Sequence, residues 1–152
     1  MNNKYLNQFK ITLPAKSCNE AFSRSIICSF IAQLDPTLEE LCDIKTAVSE
    51  AVTNCIVHAY NDSYKPEKRL IYISAMYTKD RLLTIVIKDK GKGIENIKQA
   101  LEPMYTSSLG DERSGMGFSI MKCFTDKLVV KSKVGKGTVV TLKKYISENG
   151  DN

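Results

Sequence analysis

The sequence predicts an α+β fold, a two-layer sandwich in which a mixed, mostly antiparallel sheet is covered on one face by helices. Three observations predict it. Residues 5 to 13 alternate apolar and polar with a period of two, residues 17 to 59 carry two helical apolar stripes in succession, and the strands after residue 70 return as hairpins without βαβ crossovers. The 152 residues suffice for one domain with a sizeable core, read as a single unit over 1–152.

In the first strand Tyr5, Phe9, Ile11 and Leu13 share one parity and Gln8, Lys10 and Thr12 the other, ending at Pro14. Ser17 with Glu20 three residues on reads as a capping box, followed by Phe22, Ile26, Ile27, Phe30, Ile31 and Leu34 at helical spacing until Asp35-Pro36. Thr37 with Glu40 repeats the box, and Leu41, Ile44, Val48, Ala51, Val52, Cys55 and Ala59 form a stripe over more than five turns. After a polar loop, Asn61 to Lys68, the alternating runs Ile71 to Tyr77 and Leu83 to Ile87 flank a Thr78-Lys79-Asp80 turn. A glycine-containing stretch (Lys88 to Ile94), a short helix (Glu95 to about Leu101), a polar loop (Pro103 to Ser114) and a helix (Gly117 to about Phe124) come next. Strands Leu128 to Ser132 and Thr138 to Lys144 then meet at a Gly135-Lys136-Gly137 turn.

An apolar share of 43% argues against disorder. The longest apolar run, Leu82 to Ile87, is broken by Thr84, far short of the roughly 20 residues that span a bilayer, and the N-terminus lacks a signal peptide's apolar core. A cytoplasmic protein with no membrane partner is expected. Five cysteines without a CxxC pair and a lone His58 give no metal cluster, so the thiols are read as free and mostly buried. The net charge of +5 is concentrated between residues 122 and 144, where seven Lys face one Asp. With only Phe124 there to stack on a base, this stretch is read as a solvated sheet face and not as a nucleic-acid surface.

Some residues break their own patterns. Glu50 and Asn54, four apart and therefore about 40° from one another around the helix, share one flank of the long stripe. They are either ordinary solubilising side chains or a pair in which a carboxylate accepts a proton and an amide oxygen ligates a hard cation such as Mg²⁺. Asp89 has the parity of Leu83, Ile85 and Ile87, which extends an apolar face into a charge. It is either a turn residue or a buried acceptor for an exocyclic amine such as that of adenine. Gly91 and Gly93 allow close backbone approach to a ligand, and Arg113-Ser114-Gly115-Met116-Gly117 opens a helix with glycine amides suited to phosphate.

In this order the features resemble the GHKL superfamily of ATP-binding domains, shared by gyrase, histidine kinases and a group of serine kinases. SEAVTNCIVHAY (Ser49 to Tyr60) resembles its N box, DKGKGI (Asp89 to Ile94) and RSGMGFSIM (Arg113 to Met121) its two glycine boxes, and GKGT (Gly135 to Thr138) its final box. Within it, FIAQLDPTLEEL, DIKTAVSEAVTN, EPMYTS and ERSGMGFSIM resemble the sporulation anti-sigma-F factors of spore-forming bacteria, over residues 5 to 145. That resemblance implies a serine-protein kinase that silences a sigma factor and uses Mg²⁺ and ATP to phosphorylate an anti-anti-sigma protein. It also implies a homodimer. The alternative is a non-catalytic anti-sigma module that binds ATP only as a conformational ligand.

Carried over residue by residue, the resemblance implies Glu50 as base, Asn54 as Mg²⁺ ligand and Asp89 as adenine reader supported by Thr138. Gly91 and Gly93 would shape the nucleotide floor, Ser114, Gly115 and Gly117 would face phosphate, and Arg113 would neutralise it. Arg24 would contact protein partners, and residues 103–114 would form a nucleotide lid. The sequence departs from the family at His58-Ala59, where Gly is frequent, and at DKGKG, where DEGVG is usual.

Overall fold

A computed structural model describes residues 4–103 and 116–148. Strand β1 (Tyr5–Pro14) leads into helix α1 (Cys18–Ile31), which ends in a 3₁₀ turn at Ala32–Leu34. Helix α2 (Leu38–Asn54) widens into a π turn, Cys55–Ala59. The hairpin β2 (Leu70–Thr78) and β3 (Leu82–Asp89) follows, then α3 (Ile97–Ala100), α4 (Gly117–Phe124) and the hairpin β4 (Lys127–Lys133) and β5 (Gly137–Tyr145). The sheet order is β1-β2-β3-β5-β4. Every pairing among the described residues is antiparallel, so the expected parallel component is absent there.

The register stacks the core in rows across the sheet. Phe9, Ala75, Ile85, Leu142 and Leu128 form one row, and Ile11, Ile73, Ile87, Val140 and Val130 the next. Ile27, Phe30 and Ile31 of α1, Ile44, Val48 and Val52 of α2 and Met121 of α4 close over these rows. Phe30 seats on Phe9 edge to face at 4.9 Å and tilts against Tyr77 at 5.2 Å, a preferred aromatic geometry.

Helix α1 differs from the expected stripe. Phe22 is 47% exposed, and Ser23 occupies the fully buried position one turn before Ile27. A serine is tolerated there because its hydroxyl donates to the Asn19 carbonyl at 2.5 Å. The capping box at Ser17 does not form. Ser17 is helical with no side-chain bond, and Glu20 instead pairs with Arg24 at 2.8 Å. The Thr37 box does form, with Glu40 N–H donating to Thr37 Oγ1 at 3.1 Å and Thr37 N–H to Glu40 Oε2 at 2.9 Å.

The cysteines also correct the reading. All five are free, yet only Cys55 is buried, while Cys18, Cys42 and Cys123 lie exposed on the outer sides of α1, α2 and α4. The basic C-terminal strands do expose Lys127, Lys131 and Lys133, while Lys144 reaches back to Asp43 of α2 at 3.4 Å. Among the described residues no helix is long and apolar enough to cross a membrane.

The two capping signatures give a paired test. Thr37→Ala is expected to cost about 1 kcal/mol, the usual loss of an N-cap. Ser17→Ala is expected to stay within about 0.5 kcal/mol of the parent, as for a surface change. Urea unfolding midpoints at a common slope distinguish the two.

Candidate functional site

The third row of the sheet is where the core turns polar. Leu13 pairs with Ile71, and Ile71 pairs with Asp89, so the parity that buries Leu83, Ile85 and Ile87 carries the carboxylate into the interior, 6% exposed. Asp89 therefore belongs to the strand and not to a turn beyond it. Burial pushes its carboxyl up from the ordinary range, and the amides of Gly91 and Thr138 and the Cys55 thiol hold it down in turn. The Gly91 N–H donates to Oδ1 at 2.9 Å and the Cys55 thiol to Oδ2 at 3.7 Å.

Two close backbone approaches fix this carboxylate in place. A Cβ on Gly91 would lie 2.0 Å from the Ala59 carbonyl oxygen, the same atom that accepts the Lys92 N–H at 2.8 Å. The loop leaving β3 is thereby stitched to the π turn that ends α2, and the Ala59 methyl fits only because residue 91 has none. Gly137 takes φ +112°, and a Cβ there would lie 2.2 Å from the Asp89 carbonyl oxygen. This glycine, read in the sequence as an ordinary turn residue, lets β5 start against the end of β3.

The opposite end of the site is built by α2 and α4. Gly117, the first residue of α4, sits so near the α2 flank that a Cβ would come 3.2 Å from Glu50 Oε2 and 3.5 Å from both amide atoms of Asn54. Glu50 and Asn54 thus share one point in space, at the N-terminal end of a helix, where a carboxylate is favoured by the helix dipole. Between the two ends lies a cavity of about 810 Å³, lined by Glu50, Asn54, Asp89, Gly93, Gly117 and Thr138 among others. That is the size of a small-molecule site. Among the described residues no three His, Cys, Asp or Glu side chains converge on one point. An Mg²⁺ ion here would take the Asn54 amide oxygen and draw its other ligands from water and a bound phosphate.

Six expected residues therefore line one cavity, and Gly91 stands behind it as packing. Arg113, Ser114, Gly115 and the lid residues after Pro103 lie outside the described residues. Arg24 is not a freely solvated charge. It pairs with Glu20 at 2.8 Å and reaches Ser49 at 3.5 Å, beside Glu50, and both partners line the cavity. Of the two unusual lysines, Lys90 lies over the Tyr72 ring at 4.9 Å, while Lys92 lines the cavity.

Sequence reasoning missed Ser132. Its hydroxyl accepts the Ile94 N–H at 2.8 Å, donates to the Gly137 carbonyl at 3.0 Å and meets Thr138 Oγ1 at 2.8 Å, which orients the Thr138 hydroxyl. Only its register opposite Thr138 singles it out. Cys55 belongs to the apolar stripe of α2 by its spacing, and nothing local in the sequence signals its contact to Asp89.

The pattern of the histidine kinase-like ATPase domain matches residues 14–144. The anti-sigma F factor of Caldanaerobacter subterraneus subsp. tengcongensis is 49% identical over 146 residues, covering 96% of this chain and 99% of that protein. The anti-sigma F factor of Clostridium beijerinckii is 52% identical over 138 residues, covering 91% and 94%. The solved RsbU and RsbW domains of Rv1364c from Mycobacterium tuberculosis superpose with a TM-score of 0.69 at 18% identity, over 93% of this chain and 33% of that longer one.

The buried carboxylate has a consequence for stability. Its folded pKa is raised above the unfolded one, so its ionisation opposes folding above the folded pKa and ceases to do so below the ordinary value of about 3.9. Asp89→Asn is expected to be more stable than the parent at pH 7, with the advantage shrinking as pH falls toward about 4. Thermal melts of the nucleotide-free proteins across that range check the sign.

Proposed function

This chain belongs to the histidine kinase-like ATPase domain family, among the anti-sigma F factors, and on that premise we propose that it holds a sporulation sigma factor silent and phosphorylates a serine of an anti-anti-sigma protein. The observation that carries the kinase reading is the convergence of Glu50 and Asn54 on Gly117, across one cavity from the buried carboxylate of Asp89.

Bound Mg-ATP supplies the transferable phosphoryl group and the cation that offsets its charge. Asp89 accepts a hydrogen bond from the exocyclic amine of adenine, and Thr138, oriented by Ser132, closes the same end. Gly117 leaves room for phosphate beside the amides that open α4. Asn54 lends its amide oxygen to Mg²⁺. Glu50, on the same flank, takes the proton from the attacking serine hydroxyl, which leaves positioning and electrostatics to carry the rest of the barrier. Arg24, held by Glu20 and Ser49 beside the cavity, meets the protein partners.

The chemistry is tested with γ-labelled ATP and a purified anti-anti-sigma protein. Glu50→Gln is expected to keep nucleotide binding and to lose label transfer by roughly 10²- to 10⁴-fold, the usual effect of removing a positioned base. Transfer at the parental rate would remove Glu50 from the mechanism. Absence of transfer by the parent, with sigma binding retained, would favour a module that uses ATP only as a conformational ligand.

The partner surface is tested separately. Arg24→Glu places two carboxylates one turn apart on α1 and is expected to weaken sigma-factor binding at physiological salt while leaving ATP affinity unchanged. Surface plasmon resonance at two salt concentrations reads it. Unaltered sigma affinity would place the contact elsewhere.

A further inference from the structure

We propose that Cys55 is a positioning residue for adenine discrimination, its thiol fixing the orientation of the Asp89 carboxylate; the inference rests on the adenine reading of Asp89 given above. Cys55 is buried at the start of the π turn and lines the same cavity as Asp89. Its Sγ donates to Oδ2 at 3.7 Å while the Gly91 N–H donates to Oδ1 at 2.9 Å, so each carboxylate oxygen is held by a different element. The Thr138 backbone, at the start of β5, also favours the charged form of the carboxylate. Asp89 itself lines the cavity, so its carboxylate is within reach of a base bound there.

The chemistry of sulfur suits this task. Cys55 is buried and its thiol is directed at the carboxylate, 3.7 Å from Oδ2. A thiol is also a weak donor. It orients Oδ2 without drawing much density from it, and so leaves a strong acceptor for an amine. A hydroxyl would tie the oxygen more tightly, and a methyl would release it.

The test compares binding of ATP with that of inosine triphosphate, which carries a carbonyl oxygen where adenine has its amine. It uses the parent, Cys55→Ala, Cys55→Ser and Asp89→Asn, across pH 4 to 8. Loss of one donor to a charged acceptor is expected to lower the ATP-to-inosine preference of Cys55→Ala by roughly threefold to tenfold. Its inosine triphosphate affinity is expected to remain parental, and Cys55→Ser, which orients the carboxylate but binds it more tightly, is expected to recover part of the preference. Since the thiol's bond favours the ionised carboxylate, the pH at which the preference fades should rise in Cys55→Ala and fall in Cys55→Ser. Equal losses for both nucleotides, which a packing role would give, overturn the proposal, as does an unshifted pH midpoint. Asp89→Asn separates the two readings. If it loses the preference while Cys55→Ala keeps it, only the role of Cys55 fails; if Asp89→Asn keeps it, the adenine reading itself falls.

Discussion

The site rests on one buried carboxylate. A charge in the third row of a sheet's core face survives only if its lone pairs are met, and three separate segments converge to meet them. The π turn brings Cys55, the loop after β3 folds back to present the Gly91 amide, and β5 begins close enough to offer Thr138. The glycines follow from that convergence. Gly91 lies against the Ala59 carbonyl and Gly137 against the Asp89 carbonyl at distances no side chain permits. They serve the packing of backbone on backbone around Asp89, and a ligand approaches only from the remaining side.

The end of α2 serves the same constraint. Ala59 closes the π turn and Tyr60 is already extended, so the Ala59 carbonyl has no partner further along the helix and takes the Lys92 amide at 2.8 Å. The helix thereby anchors the loop that Asp89 needs. One turn earlier, Asn54 and Glu50 stand on the flank of that helix, so a single element sets the spacing between the adenine end and the reacting end.

Much of this was legible in the sequence. Period-two runs and hairpin turns placed β1 to β5 within a residue or two, and the parity of Asp89 made a buried carboxylate one of two readings, the other a turn residue, because parity is a local property that holds only as far as the strand does. What failed were decisions made between elements. Ser17 and Glu20 have the spacing of a capping box, but Glu20 pairs with Arg24 instead. Phe22 fits a helical stripe, yet it is Ser23 that α1 turns into the core. Ser132 and Cys55 acquire their roles from partners 6 and 34 residues away, a relation that no local pattern encodes. The exposed cysteines show the same limit, since a thiol's apolarity does not say which side of a helix will face the core.

The two ends of the cavity bear different relations to stability. Asp89 sits in the core face, so the groups that tune its affinity for a ligand also hold the sheet together, and its burial costs free energy that the fold must offset. Glu50 and Asn54 are only half-buried on a helix flank, outside the rows that carry the core. Changes there act on the ligand with little effect on folding, whereas changes around Asp89 act on both at once. Base recognition is therefore the more constrained half of this site. The reacting half is the one in which substitution can separate binding from transfer.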